Sequence, residues 1–306
     1  MGGHREEIFL KVPGLSERKG YVITGERPGK TLVVTAGVHG SEYVGILALK
    51  ELVNELDPSE MSGRVILFPL LNEYGFHHGL KQAAGTDGVN LNRAFPGDAN
   101  GSETYRLAAA VERELYPKAD FLLDLHSGDT NEIVLSFLFF PAYSGEEVAA
   151  AARAAASAMS LPYRVASSAK DGLYSRAAVN GIPALLLERG GLARYSRDEV
   201  EADKKNVREL MAHLGILPEK YARPESEPAQ REIGRALYSE ALKDGFWYPA
   251  VREGDRVKKG GLLGELKTLD DELICRYEAE FDGLILYYTT YLGVRAGDPL
   301  VTLGDA

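Results

Sequence analysis

Short apolar runs and amphipathic stretches alternate through the first two-thirds of the chain. Residues 31–36 (Thr-Leu-Val-Val-Thr-Ala) are β-branched and apolar without alternation, the pattern of a strand buried on both faces. Residues 44–56 then carry apolar positions three and four apart and predict a helix. Further strands are predicted at 64–68, 121–125, 133–140 and 184–187, and further helices at 102–115, 146–159 and 196–214. Repeated strand–helix alternation with apolar strands predicts an α/β fold, a sheet covered on both faces by helices. Residues 69–101 break the rhythm. They have no clear period and are rich in Gly, Asn and Pro, and such long stretches inside compact domains are usually functional.

The pattern changes near Leu217. Pro218, Pro224, Glu225, Ser226, Glu227 and Pro228 make a polar linker. Beyond it, short strands separated by turns at Gly254-Asp255, Asp282-Gly283 and Gly297-Asp298 replace the helical period. The predicted organisation is an α/β domain over residues 1–217, a linker over 218–230 and a small all-β domain over 231–306. A length of 306 residues, about twice that of a typical domain, agrees with it.

Composition then narrows the class. With 45% hydrophobic and 26% charged residues, the chain has the profile of a soluble globular protein, which excludes disorder and collagen-like structure. Thirty-five Lys+Arg against forty-five Asp+Glu leave a net charge of −10, which argues against nucleic acid or an anionic membrane as the main partner. A small-molecule substrate, even an anionic one, is still compatible, because a few buried cations outweigh a distant surface field. The N-terminal residues hold no apolar run of signal-peptide length, and the alanine-rich stretch 148–158, broken by Arg153, is too short for a membrane span. A cytoplasmic location is the expectation, and a homo-oligomer is compatible with every feature so far. The single cysteine, Cys275, rules out an internal disulfide and a cysteine-rich metal site, so any metal must rest on histidines and carboxylates.

Four segments carry candidate chemistry. Gly37-Val38-His39-Gly40-Ser41-Glu42 follows the first buried strand, where open α/β sheets bind ligands, and His39 and Glu42 can point at one spot there. Taken alone, an H-x-x-E spacing arises readily by chance. Asp124-Leu125-His126-Ser127-Gly128 ends another apolar strand. Alternation puts Asp124 and His126 on one face, so Asp124 is placed to orient His126, itself either a capping residue or a ligand. Two histidines and a glutamate make the ligand set of a catalytic zinc. Asn90-Leu91-Asn92-Arg93 lies in the long loop, where Arg93 is either a solvated turn residue or a bidentate carboxylate clamp assisted by Asn92. Glu188 ends the strand at 184–187 ahead of Gly190-Gly191, placed either as a general base or as the partner of Arg189.

In order, H-G-S-E, N-L-N-R-x-F-P-G, D-L-H-S-G and G-I-P-A-L-x-L-E-x-G-G are similar to the motifs of the succinylglutamate desuccinylase/aspartoacylase family of zinc carboxypeptidase-like hydrolases, over residues from about 32 to 214. The resemblance implies a mixed sheet flanked by helices and one Zn2+ per chain on His39, Glu42 and His126. It implies Glu188 as the general base, and Asn92 and Arg93 as the grip on a substrate carboxylate. Members of the family usually carry an arginine after a Phe-x-x-Gly pattern, where it polarises the scissile carbonyl. Here Phe76-His77-His78-Gly79-Leu80-Lys81 puts Lys81 at that place, with the charge kept and the planar fork lost. His77 and His78 are expected to pack the loop or line a pocket.

The C-terminal domain resembles the biotinyl/lipoyl carrier fold, but its hairpin reads Thr268-Leu269-Asp270-Asp271-Glu272, without the carrier lysine. In the family this domain packs near the mouth of the site, which makes Tyr287, Tyr288 and Tyr291 candidates to reach substrate. Arg176, Arg189 and Arg194 are candidates for a second carboxylate contact, and the pocket is expected to be cationic. The leading expectation is a zinc-dependent deacylase that cleaves the amide bond of an N-acyl amino acid. A carboxypeptidase-type peptidase is the rival within the same chemistry, and a non-catalytic binding protein on this scaffold is the rival of another class.

Overall fold

The computed structural model describes residues 2–81 and 83–305. The chain opens with strands β1 (His4–Leu10), β2 (Arg18–Thr24) and β3 (Arg27–Ala36). It then runs through α1 (Tyr43–Glu55), β4 (Ser62–Phe68), α2 (Glu73–His78), α3 (Glu103–Glu114), β5 (Phe121–His126) and β6 (Glu132–Pro141). Next come α4 (Glu146–Ser157), β7 (Tyr163–Ser167), α5 (Leu173–Val179), β8 (Ala184–Gly191) and α6 (Arg197–His213). These strands line up in the order β1-β2-β4-β3-β5-β8-β6. The inner pairs β4/β3, β3/β5 and β5/β8 are parallel, while β1/β2, β2/β4 and β8/β6 are antiparallel, so the sheet is mixed.

Both faces of the sheet are covered, as the unbroken apolar runs predict. Leu32, Val34 and Ala36 of β3 pack on one face with Leu49 and Leu52 of α1, Ala152 and Ala155 of α4, and Leu210 and Met211 of α6. Val33, between them, points to the other face and joins Leu107 and Val111 of α3 and Leu173 and Ala177 of α5. A strand with no visible alternation therefore still alternates in space, because each face has its own apolar layer.

Three parts of this half differ from the sequence expectation. The hairpin β1–β2 forms from a segment whose outer strand is mostly charged and exposed, so no apolar run marks it. The five-residue β7 and seven-residue α5 are too short to show a period. The stretch 69–101 is not structureless. It holds α2, capped at its start by the Asn72 side chain accepting from Gly75 N at 2.7 Å and at its end by Gly79 with φ of 62°, and a 3₁₀ turn at Leu91–Arg93.

The C-terminal part is all-β, with strands β9 (Arg231–Ile233), β10 (Ala236–Glu240), β11 (Gly245–Pro249) and β12 (Arg256–Val257). β13 (Leu262–Lys267), β14 (Leu273–Glu278), β15 (Gly283–Thr289), β16 (Gly293–Val294) and β17 (Pro299–Gly304) complete it. Its own core gathers Trp247, Leu263, Leu266, Ile285, Leu300 and Val301. It is not attached by the linker alone. Tyr287, Tyr288 and Thr289 of β15 pair with Val134, Ile133 and Glu132 of β6, and β9 pairs with β7. Thirteen of the described strands thus belong to one sheet, and β14-β13-β11-β16 form a second. The pairing continues the sheet from β8 through β6 to β15, β17 and β10.

The turn after β3 admits no side chain at Gly40. A Cβ there would lie 2.0 Å from Phe76 N and 2.1 Å from the Gly75 carbonyl carbon, both backbone atoms of α2. Gly40→Ala must push α2 away from the loop bearing His39 and Glu42, and is expected to lower stability by about 1–3 kcal/mol. Urea unfolding monitored by circular dichroism reads this out, and an unchanged midpoint would contradict the close approach.

Candidate active site

Three neighbouring parallel strands end at the same edge of the sheet, and each delivers part of one cluster. His39 lies just past the end of β3, Glu42 is the N-cap residue of α1, His126 is the last residue of β5, and Glu188 pairs in register with His126 across β5/β8. Placement beyond the carboxyl ends of parallel strands is where open α/β sheets form ligand sites.

The Glu42 carboxylate sits between the two histidines. Its Oε1 is 2.7 Å from His39 Nδ1 and its Oε2 is 2.8 Å from His126 Nδ1. The outer ring nitrogens face oxygen acceptors: His126 Nε2 lies 3.0 Å from Asp124 Oδ2, and His39 Nε2 lies 3.0 Å from Asn90 Oδ1. Asn90 Oδ1 also accepts from Asn92 N at 2.8 Å, and Asp124 Oδ1 accepts from Thr35 Oγ1 at 2.7 Å. With a metal bound, ring protons on both Nε2 atoms would satisfy these acceptors and leave both Nδ1 atoms free as ligands.

A divalent metal fits this arrangement. The three residues are buried, and each offers a ligand atom within 4.8 Å of the other two. Glu42 Oε2 is buried without a hydrogen bond of acceptable geometry despite its nearness to His126, as expected of lone pairs that converge on a common third atom. Burial opposes the charge on Glu42, but the two imidazoles outweigh it and hold its carboxyl far below the ordinary range. For His126, burial likewise opposes a charge, yet Glu42 and Asp124 raise its proton affinity well above that of a free imidazole. A cluster that stabilises added positive charge this strongly suits a dication, and two histidines with one glutamate leave a position open for chemistry.

Glu188 is half-buried, and its Oε2 is shielded from solvent without a hydrogen-bond partner. Burial pushes its carboxyl up to about 8, with Glu42 and Glu132 adding to the rise and His126 and Lys81 opposing it. Positive charge added at the His39–Glu42–His126 cluster brings that value down toward the range of a working base. Arg189, the other partner considered for Glu188, points to the opposite face and bonds Asp203 of α6 at 2.7 Å.

The cations near the site are already engaged by acids. Lys81 Nζ is 2.7 Å from Glu132 and 3.6 Å from Asp129, and Asp129 also accepts from Ser41, the neighbour of Glu42. Burial works against the Lys81 charge, but Glu132, Asp129 and Glu42 hold its pKa above the usual lysine value. Arg93 is mostly exposed, 3.8 Å from Asp171, and Asn92 is buried with its Oδ1 accepting from Leu173 N at 2.9 Å. Arg176 is paired with Glu112, while Arg194 is exposed. The expected cationic pocket is thus a mixed one, with acids matching the cations. His78 stacks on Tyr74 and His77 meets Phe76 edge-on, away from the metal cluster.

Tyr238 of β10 was not among the tyrosines expected here. About half of its surface is exposed, yet the partial burial pushes its hydroxyl up to about 12, with Glu188 raising it further and Arg93 opposing, so both the candidate base and the candidate clamp act on it. Tyr287 feels Glu132 and Tyr238 in the same way, whereas Tyr288 responds to Glu253, Arg252 and Asp255. Nothing in the sequence around Tyr238 marks it, because its place depends on pairing between β10, β17 and β15. Asn90 was visible only as the first residue of its motif.

The profile of the succinylglutamate desuccinylase/aspartoacylase catalytic domain matches residues 28–214. The chain belongs to that family. It is 26% identical to the N-alpha-acetyl-L-2,4-diaminobutyric acid deacetylase of Halomonas elongata over 310 aligned positions, covering 97% of this chain and 90% of that protein. Among solved structures it is similar to the product-bound ectoine utilization protein EutE (DoeB) of Ruegeria pomeroyi, with a TM-score of 0.88, 27% identity, and coverage of 100% and 96% of the two chains. A succinylglutamate desuccinylase/aspartoacylase of Rhodobacter sphaeroides gives the same TM-score at 25% identity and the same coverage. Family and site together make this chain a hydrolase of the deacylase type.

Asp124 holds His126 from behind, so Asp124→Asn keeps the shape and removes the charge. The variant is expected to bind zinc about 10- to 100-fold more weakly. Titration against a competing chelator measures this, and unchanged affinity would remove Asp124 from the site.

Proposed function

We propose that the protein is a zinc-dependent deacylase that hydrolyses the amide bond of an N-acylated amino acid. The observation that carries this reading is the buried His39–Glu42–His126 cluster with Glu188 across from it on the next strand. Bound zinc supplies the Lewis acidity that makes a water acidic and a carbonyl electrophilic. Glu188 accepts the proton of the attacking water and delivers it to the amide nitrogen as the carbon–nitrogen bond breaks, yielding a carboxylate and a free amine. Its partly buried setting suits both halves of that task, since a carboxyl with a raised proton affinity takes a proton readily and keeps it long enough to pass it on.

Arg93 and the amide group of Asn92 hold a substrate carboxylate in this reading, with the carboxylate displacing Asp171 from Arg93. Lys81 supplies positive charge near the scissile carbonyl once the substrate takes the place of one of its acidic partners. The acids around Glu188 favour a substrate that also carries an amino group. The named substrate of the Halomonas relative, an acetylated diamino acid, has this chemistry. The C-terminal strands are read as a carrier-like β unit that has lost its carrier lysine and serves as a wall of the site, contributing Tyr238. A cytoplasmic location agrees with a small-metabolite substrate, and no helix among the described residues is long and apolar enough to cross a membrane.

A screen of N-acetyl and N-succinyl amino acids, N-acetyl-2,4-diaminobutyrate included, with long peptides in parallel, tests the reading on zinc-loaded protein. Hydrolysis of the small acyl amino acids alone is expected. Activity confined to peptides would instead establish a carboxypeptidase, and zinc binding without turnover of any of them a binding protein. On the best substrate, Glu188→Gln is expected to reduce kcat by about 10²- to 10⁴-fold with zinc content unchanged. Near-normal turnover in that variant would refute the base assignment.

A further inference from the structure

The strand that carries Glu188 is paired with β5 and β6 at that residue, but its ladder with β6 is interrupted at the next one. Between β8 and β6, Glu188 pairs with Phe137 and Gly190 with Val134, so Leu135 and Ser136 of β6 stand against the single residue Arg189. This is a β-bulge, and bulges loosen pairing and re-aim the side chains beside them. Past Arg189 come Gly190, with φ of 81°, and Gly191, followed by Leu192 and Ala193 at φ of 59° and 47°. The glycines bring no side chains to grip the layers above and below. The ladder resumes past the bulge with Val134 opposite Gly190 and Ile133 opposite Gly191, and Gly128 N to Gly190 O at 3.1 Å and Leu192 N to Glu132 O at 3.0 Å add to it, all of them backbone contacts.

Arg189 adds a side-chain tie where the ladder is interrupted. As the next residue on the strand it projects from the face opposite Glu188. Its Nε donates to Asp203 Oδ1 at 2.7 Å and its Nη2 to Asn206 Oδ1 at 2.6 Å, both on α6, and its Nη1 lies 3.4 Å from Ser136 Oγ on the bulge. Asp203 is fully buried, and its other oxygen has no partner. Asn206 is braced in turn, donating to Glu209 at 2.9 Å, and the buried Glu209 accepts from Ser160 N at 2.7 Å. One planar guanidinium therefore ties β8 and β6 to α6 at the residue beside the base.

We propose that Arg189, held by Asp203 and Asn206, is the positioning residue that fixes the direction of the Glu188 carboxylate across the β8/β6 bulge. The inference rests on the reading of Glu188 as the general base. A base must sit within a fraction of an ångström of its working position, and a misplacement of about 1 Å costs on the order of 10²-fold in rate. A fork of donors fixed in a plane sets the azimuth of a strand in a way that a lysine, with one mobile charge, does not.

Arg189→Lys and Asp203→Asn in the zinc-loaded full chain test it, on the N-acyl amino acid hydrolysed fastest. Expected is a 10- to 100-fold lower kcat with KM within twofold and unchanged zinc content, measured below a thermal midpoint that falls because the buried pair is weakened. Because the effect runs through Glu188, it should vanish in a Glu188→Gln background. Should these variants not fold, Asn206→Ser removes one arm of the fork, with an expected three- to tenfold loss. Amide hydrogen exchange needs neither metal nor substrate, and residues 188–190 should exchange at least tenfold faster in Arg189→Lys while 184–186 stay protected. Normal kcat in folded variants, a loss confined to KM, equal losses in the Glu188→Gln background, or unchanged exchange would each overturn the proposal. If Glu188→Gln itself turned over normally, the base assignment would fall first. If Glu188→Gln were inactive and the Arg189 and Asp203 variants normal, only the positioning role would fall.

Discussion

A carboxylate buried between two imidazoles is the constraint on which the rest of this structure depends. Glu42 has no solvent to support its charge, so both of its oxygens must face positive or polarisable groups, and among the described residues His39 and His126 lie that close. The two histidines come from different strands, which must end level with each other. They do so because β3 and β5 are parallel neighbours, with Thr35 opposite Asp124 and Ala36 opposite Leu125. The contact between Thr35 and Asp124 then serves the sheet and the site at once, since the same aspartate turns the imidazole of His126 toward Glu42. On the His39 side, the absence of a side chain at Gly40 lets the backbone of α2 close over the turn.

Charge balance around this centre is local. A net charge of −10 belongs to the surface, while each cation near the site has its own acid: Lys81 with Glu132 and Asp129, Arg93 with Asp171, Arg189 with Asp203. The pairs differ in what they can do. Arg189–Asp203 is buried and braced, so breaking it would strand a charge away from water. Arg93–Asp171 is exposed and loosely spaced, so a ligand carboxylate can replace the aspartate at little cost. Burial thus separates a cation that holds the scaffold from one that is available to substrate.

Much of the fold was legible along the chain. The strands of the inner sheet and its long helices stood out because each has a continuous apolar run or a sustained helical period, and both survive any tertiary arrangement. The charged outer strand β1, the six-residue α2 and the seven-residue α5 did not stand out, since their stability comes from pairing, caps and neighbours rather than from their own pattern. Of the candidate residues, His39, Glu42, His126 and Glu188 come together at the ends of adjacent parallel strands, and Asp124 lies behind His126. Lys81 and Arg93 sit near them with acidic partners that no spacing in the sequence announces.

By itself the sequence narrowed any metal to histidines and carboxylates, since one cysteine excludes a cysteine-rich site, and its motifs, through their resemblance to a known family, named His39, Glu42 and His126 as candidates. It also determined the α/β class, because apolar strands alternating with amphipathic helices have one efficient way to bury both sets of faces. Only the tertiary structure decided how charged the pocket is, which tyrosine of the C-terminal strands feels the charge of Glu188, and that Arg189 turns away from that glutamate to grip α6. These are matters of strand pairing and of the direction in which a side chain leaves its strand. A one-residue shift in register, such as the bulge at Leu135–Ser136, changes them without leaving any mark on composition or period.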